Sequence, residues 1–456
     1  MLFNSLAYLS MLLLTRAVSL LTGRPALVFL ASSIVFYLFA GWYDTFIFFG
    51  SVVVNWLICR YLPHNRLRLC AAILFNAGLL FFFKYAGFVT GTADNESSSY
   101  INAALPLGIS FYTFQMLAYQ IDVARGISKE ASSFRSFALF ISFFPQLIAG
   151  PIVRSRELLP QIERLFARRP RRLRLVAYGL SLFLLGLFKK VFIADSLSPF
   201  VDEIFNAGPE SAVWAWLGGV LFSFQIYCDF SGYSDMAIGS AYLLGIRLPV
   251  NFRTPYLSQG PREFWQRWHI TLSNWIRDYL YIPLGGSRGS VVKTGFVVIA
   301  TMALAGLWHG ADMTFVVWGG LWGAYIYATR YIPRGFLPIP GRILLHFSIT
   351  VFLWVLFRSP DIHSALSYYK IMLGIEPGIP TQDSFHDERA LLPALTAIAA
   401  LLCCFHYLEN RFSTLRTVRW LRHKDGIFLR SALITLTILI IMLPRVALNP
   451  FIYFRF

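Results

Sequence analysis

Residues 295–310 read Gly295-Phe-Val-Val-Ile-Ala-Thr-Met-Ala-Leu-Ala-Gly-Leu-Trp-His-Gly310. No residue from Gly295 to Trp308 is charged, and the run ends on a histidine and a glycine. An apolar stretch of this kind reads as a membrane helix. Lys293 marks its cytoplasmic end, so His309 falls at membrane depth or toward the outer half. An ionisable side chain there is costly, and its default reading is functional. Gly310 stops the helix and leaves backbone groups to line a cavity. A neutral imidazole, with an ordinary pKa near ~6.5, suits a general base acting on a hydroxyl in acyl transfer. The competing reading is a hydrogen-bonded packing histidine.

Upstream, Phe264-Trp-Gln-Arg-Trp-His-Ile-Thr-Leu-Ser-Asn-Trp-Ile-Arg-Asp-Tyr-Leu-Tyr281 is the densest mixture of aromatic and charged residues in the chain. Taken as one helix, it places Trp265, Trp268, Leu272, Trp275 and Tyr279 on an apolar face. Glu263, Arg267, Asn274 and Asp278 lie on another face, with Glu263 and Arg267 spaced to pair. Gln266, His269 and Ser273 form a third stripe. The helix is expected at the inner interface or dipping in as a re-entrant segment, with its tryptophans as interfacial anchors. Before it come Asn251-Phe-Arg-Thr-Pro-Tyr256 and Gln225-Ile-Tyr-Cys-Asp-Phe-Ser-Gly-Tyr-Ser-Asp235. Asp229 and Asp235 read as intramembrane or interfacial carboxylates able to orient a histidine or hold an arginine. A proton or ion pathway is their alternative use.

Composition sets the class. Of 456 residues, 57% are hydrophobic and 14% charged, where a soluble protein carries about 25% charged. The chain is therefore expected to be an all-α polytopic membrane protein. Candidate segments lie near 3–20, 26–42, 45–59, 70–90, 101–118, 134–150, 173–194, 212–229, 232–246, 291–308, 312–330, 342–357, 390–409 and 429–446. The run Leu2 to Leu21 lacks a basic leader and a small-residue cleavage site, so it reads as a retained helix. The five cysteines, Cys59, Cys70, Cys228, Cys403 and Cys404, lack metal-ligand spacing and read as small buried hydrophobes. No metal is expected, and neither a P-loop nor a Gly-x-Gly-x-x-Gly occurs.

Loop charges give the orientation. Arg60/Arg66/Arg68, the eight arginines between Arg154 and Arg174, Arg330/Arg334/Arg342, and Arg411/Arg416/Arg419/Arg422/Lys424 are placed inside. In a membrane chain such clusters are topology determinants and lipid contacts, and no nucleic-acid partner is expected. The acidic stretches 91–100 (Asp94, Glu96), 195–211 and 359–389 (with Asp383 and Asp387) are placed outside. Both termini then fall outside. Residues 119–130 and 152–174 both read as inside, so 134–150 cannot cross once. Its Pro145, Gly150 and Pro151 suit a re-entrant or surface helix. The same reading makes Asp229 to Asp235 an interruption within 212–246.

These residues resemble the membrane-bound O-acyltransferase (MBOAT) superfamily, and within it the bacterial branch of the alginate O-acetyltransferase membrane subunit. The resemblance is carried by Phe82–Phe88, Leu105–Gln115, Phe144–Ile152, Gln225–Asp235, Asn251–Tyr256, Phe264–Tyr281 and Leu307–Gly310, with both ends of the chain also similar. It implies one MBOAT membrane domain over 1–456, with a catalytic core about 80–330 and C-terminal helices about 342–456. Its fold is a ring of about 11–13 tilted helices, plus re-entrant helices, around a central tunnel. It implies that His309 and His269 are the catalytic residues. Tunnel, donor-binding or supporting places fall to Trp308, Gly310, Asp229, Tyr233, Asp235, Trp265, Arg267, Trp268, Trp275, Arg277, Asp278 and Gln115. It further implies acetyl-CoA as donor, no permanently bound cofactor, and transfer of acetyl across the membrane to an exported polysaccharide with a periplasmic partner protein. Alginate is the leading acceptor; the C-terminal third is short for the alginate subunit, which makes cellulose or another exported polysaccharide a serious alternative. Peptidoglycan acetylation, teichoic acid D-alanylation and, from another class, a transporter without chemistry are the alternatives. On this reading the interval between the two histidines is the path of the acetyl group.

Overall fold

The structure is a computed structural model that describes residues 3–63, 66–90, 105–147, 150–167, 176–333, 335–379 and 388–411. The segment 429–446, the C-terminal stretch 449–456, the loop 91–100, Asp383 and Asp387 lie outside the described residues, as do Arg416, Arg419, Arg422 and Lys424. Among the described residues all regular structure is helical. Among the described residues four helices are long and apolar enough to cross a membrane: Trp42–Tyr61, Arg66–Thr90, Val291–His309 and Ile339–Arg358. Leu6–Thr22 and Pro25–Leu38 are shorter apolar helices. The chain divides into two units, Met1–Leu185 with Tyr233–Val250, and Gly186–Gly232 with Asn251–Phe456.

In the first unit Ser5 caps helix Leu6–Thr22, its hydroxyl accepting from the Tyr8 amide at 3.2 Å. The core is aromatic, with Phe3 stacked on Tyr8 at 4.4 Å and Phe36 against Phe144 at 5.9 Å. Polar clasps join helices where no hydrophobic force acts between them. Asn55 and Asn76 exchange amide hydrogen bonds at 3.1 and 2.8 Å, and Gln120 donates to the Asn55 carbonyl at 2.8 Å. Helix Phe134–Ser142 has nine residues, about 14 Å at 1.5 Å per residue, which is too short to cross. Its residues Ser136 to Ser142 are buried, which excludes the surface-helix alternative.

The second unit is built on the hairpin of Val291–His309 and Met313–Ala328. Ser290 caps the first helix by accepting from the Lys293 amide at 3.2 Å. Asp312 caps the second by accepting from the Thr314 amide at 2.7 Å. The helix backbones touch. A Cβ on Gly306 would lie 1.9 Å from the Phe315 carbonyl oxygen, and one on Gly319 would lie 2.1 Å from that of Met302. Small residues thus allow the close approach that holds membrane helices together.

The structure corrects several sequence expectations. Ala212–Leu243 is one continuous helix of 32 residues; Asp229 to Asp235 do not interrupt it, and the buried Asp229 is offset by an ion pair with Lys190. Residues 264–281 are not one helix. Pro261–Trp265, Ile270–Ile276 and a π turn at Arg277–Tyr281 follow one another with a break before His269. Helices Ser155–Ala167, Asp195–Ala207 and Ile362–Met372 occupy stretches read as loops. Arg68 and Arg154 are buried, and Arg68 pairs with Glu130 at 2.8 Å. Cys59 and Cys228 are buried, but Cys70, Cys403 and Cys404 are exposed.

Candidate active site

His309 is the last residue of its helix, and Gly310 caps it in extended conformation (φ −156°, ψ 151°). Any residue adopts that backbone, so the glycine is required by space alone. A Cβ there would sit 2.1 Å from the Phe315 ring. His309 is buried to 4% exposure. Aromatic rings wall it in: Trp308 at 5.0 Å, Trp318 at 5.4 Å and Phe357 at 5.4 Å between centroids.

His269 is held by strained backbone. Its φ of 41° and that of Thr254, 44°, are the two positive values outside glycine among the described residues. Such outliers cluster at functional sites, where the surroundings over-determine them. The fixing contacts are plain. The Arg253 amide donates to the Arg267 carbonyl and the Ile270 amide to the Asn251 carbonyl, both at 2.9 Å. The Arg267 guanidinium pairs with Glu263 at 2.6 Å and reaches the carbonyls of Arg253 and Thr254 at 3.5 Å.

Asn251 sets the tautomer. Its Oδ1 accepts from the Thr271 amide at 3.3 Å and hydroxyl at 3.0 Å, which fixes the side-chain amide orientation. The same oxygen lies 3.1 Å from His269 Nδ1. An oxygen that only accepts requires Nδ1 to carry the proton, leaving the lone pair on Nε2. Burial pushes the His269 imidazole down to about 3 from 6.5, so it is neutral at ordinary pH. His269 lies outside the four apolar spans.

Trp308 links the two histidines, its ring 6.1 Å from His269 and 5.0 Å from His309. They therefore belong to one cluster.

A cavity of about 400 Å³ opens on His309. Val298, Thr301, Met302, Ala305 and His309 line it from one helix, a stripe about 16 Å long by helical rise. Tyr327 donates to the Val291 carbonyl at 3.0 Å, which fixes the two helices as antiparallel. Arg330, just beyond, thus stands at the end away from His309. Arg262, Arg277 and Arg330 line the same cavity. The arrangement can take an elongated anionic ligand, with charge at Arg330 and its far end at the imidazole.

Comparison with known proteins gives the family. The family model for MBOAT, the membrane-bound O-acyltransferase family, matches residues 124–357. The chain is 34% identical over 465 residues to the "Probable alginate O-acetylase AlgI" of Pseudomonas putida, covering 94% of each chain. The chain belongs to the membrane-bound O-acyltransferase family. It is 39% identical to the protein of the same name from Azotobacter vinelandii, over 76% of this chain and 72% of that one. It is 37% identical to the "Peptidoglycan O-acetyltransferase" of Helicobacter pylori, over 77% and 74%. The protein is a multi-pass membrane O-acyltransferase.

In this MBOAT chain the expected site residues separate into groups. His309, Trp265 and Arg277 line the cavity. Trp268 is fully buried against Phe264 at 5.6 Å and Trp354 at 5.0 Å, and Trp275 is buried against Tyr279 at 5.1 Å. These two are core and not interfacial anchors. Asp278 pairs with Arg277 at 2.8 Å. Asp229 pairs with Lys190 at 2.5 Å, and Lys190 also holds Asp195 at 2.8 Å. Gln115, Tyr233 and Asp235 fall in the first unit, where Gln115 donates to the Phe140 carbonyl at 3.0 Å and Tyr233 packs on Phe3 at 5.8 Å.

Sequence patterning does not single out Asn251, Lys190 or Arg262 as site residues, and it gives Arg330 only as a cytoplasmic charge. Lys189 and Lys190 were detectable, because two lysines in an apolar run are themselves a functional signal.

Proposed function

We propose that this protein transfers acetyl from cytoplasmic acetyl-CoA to a hydroxyl of an exported cell-envelope polymer. The observation that carries the reading is the cavity joining Arg262, Arg277 and Arg330 to His309. The arginine end is cytoplasmic by the charge rule, where the guanidiniums would hold the donor's phosphates. The pantetheine arm would run along the stripe from Val298 to His309, which brings the thioester to the imidazole.

His309 then takes the proton of an acceptor hydroxyl as the oxygen attacks the thioester carbonyl. The carbon–sulfur bond breaks, and the thiolate recovers the proton. In the covalent variant the imidazole first displaces the thiolate and forms an acetyl-imidazole, which the hydroxyl then cleaves. His269, neutral and fixed by Asn251, supports this centre through Trp308.

The relatives named alginate O-acetylase favour an exported polysaccharide acceptor, and the relative named peptidoglycan O-acetyltransferase makes peptidoglycan the second reading. A periplasmic partner protein completes delivery from the outer face of the inner membrane. The test is acetyl release from the extracellular polymer and from peptidoglycan, measured by mass spectrometry in cells with and without the protein. Ester-linked acetyl lost from one polymer identifies the acceptor; unchanged acetylation of both would refute the function.

A further inference from the structure

We infer that the last turn of helix Glu388–Arg411 is a positioning element for His269, acting through the loop Asn251–Tyr256; the inference rests on the proposed role of the two histidines. The turn lies beyond residue 357, the last residue that the family model matches. Two of its side chains hold that loop. Asn410 Oδ1 accepts from the Thr254 hydroxyl at 3.0 Å, and His406 Nε2 accepts from the Tyr256 amide at 3.2 Å. Thr254 is the β-branched residue held at φ 44°, a conformation such a residue keeps only when its surroundings impose it. At the other end of the same loop Asn251 orients the His269 imidazole. A contact at Thr254 therefore sets the place of a contact three residues earlier.

The turn itself is anchored. Glu409 accepts from the Tyr227 hydroxyl at 2.6 Å and pairs with Lys189. His406 Nδ1 faces a Glu409 oxygen at 3.4 Å, and its ring lies 4.8 Å edge-on to Tyr227. Because Nε2 of His406 accepts from a backbone amide, its proton sits on Nδ1, toward the carboxylate. With Nε2 committed to the Tyr256 amide, His406 serves as a strut. The Lys189–Glu409 pair is buried on the lysine side to 3%, where an ion pair fixes geometry more than it adds stability.

The experiment uses the full-length protein in native membranes and compares Asn410→Ala, Asn251→Ala and the double variant. The readouts are kcat, KM for acetyl-CoA and amount of folded protein. Asn410→Ala is expected to lower kcat about tenfold through misplacement of the imidazole, with KM unchanged. The double variant is expected to be no slower than Asn251→Ala, because both act through one contact. Adding Thr254→Gly to Asn410→Ala is expected to restore kcat, since glycine adopts positive φ without help. If Asn410→Ala does not accumulate, Thr254→Val removes the same hydrogen bond from the loop side and is expected to show the same loss. Full activity in the single variants, multiplied losses in the double variant, or no rescue by glycine would each overturn the inference. Loss of activity in His269→Ala and His309→Ala alongside any of these results would leave the proposed function standing. Retained acetyl transfer in both histidine variants would instead remove that function itself.

Discussion

Gly310→Ala isolates the packing that aims His309. The glycine φ of −156° suits alanine equally well, so the whole effect is steric. The new methyl carbon would lie 2.1 Å from Phe315 Cε2 and 2.5 Å from Cδ2. Carbon contacts settle at about 3.5–4.0 Å, so the ring must retreat by more than about 1 Å. It has little room, being 5% exposed and set edge-on to Phe357 at 5.0 Å. Phe357 in turn packs on His309 at 5.4 Å. Overpacking of this kind costs about 1–3 kcal/mol, and a misplacement near 1 Å can cost about 10²-fold in rate. Acetyl transfer from labelled acetyl-CoA to polymer in isolated membranes should show kcat reduced by about 10- to 100-fold with near-normal protein amount. Adding Phe315→Ala should return part of that rate. Gly320→Ala, whose Cβ meets nothing within 4 Å, should be indistinguishable from wild type. A wild-type rate in Gly310→Ala, or an equal loss in Gly320→Ala, would refute the reasoning.

Asn251→Ala removes the acceptor that fixes the His269 tautomer and should lower kcat by at least about tenfold, measured in the same assay. Lys190→Met leaves Asp195 and Asp229 buried without the cation they share, at a cost of about 3–5 kcal/mol; reduced accumulation and thermal stability in detergent should follow. Neutralising Arg262, Arg277 and Arg330 to Gln should raise KM for acetyl-CoA, leave kcat nearly unchanged and flatten its salt dependence. His269, held down at about 3, refuses a proton that the unfolded chain accepts below pH 6.5. Stability should therefore fall as pH drops through that window toward about 3, and thermal unfolding of His269→Gln should show a shallower slope.

The reach of the sequence follows its physics. Apolar runs follow directly from the lipid solvent, and a histidine at the end of one stands out against them, so the helical class and the residue on which the cavity opens were legible. The short run Phe134–Ser142 was legible as non-crossing from loop charges alone. The break before His269 was not, because a histidine forced to positive φ leaves no mark in periodicity; the face of Trp265, Trp268, Leu272 and Trp275 looked continuous across it. Asp229 was recognised as costly but its partner was not, since Lys190 lies on another helix and pairing across helices has no local pattern. Helices such as Ser155–Ala167 and Ile362–Met372 escaped a search tuned to apolar runs, being too polar to register. The role of Asn410 depends on a strained threonine far away in sequence, which only the assembled unit reveals.

The central claim is that His309 is the reacting centre of an acetyltransferase. The direct measurement is the ester-linked acetyl content of the extracellular polymer in cells carrying His309→Ala, with membrane insertion and protein amount checked alongside. Polymer acetylation lost while the protein remains inserted at normal level is the predicted result; normal acetylation in that variant would contradict the account.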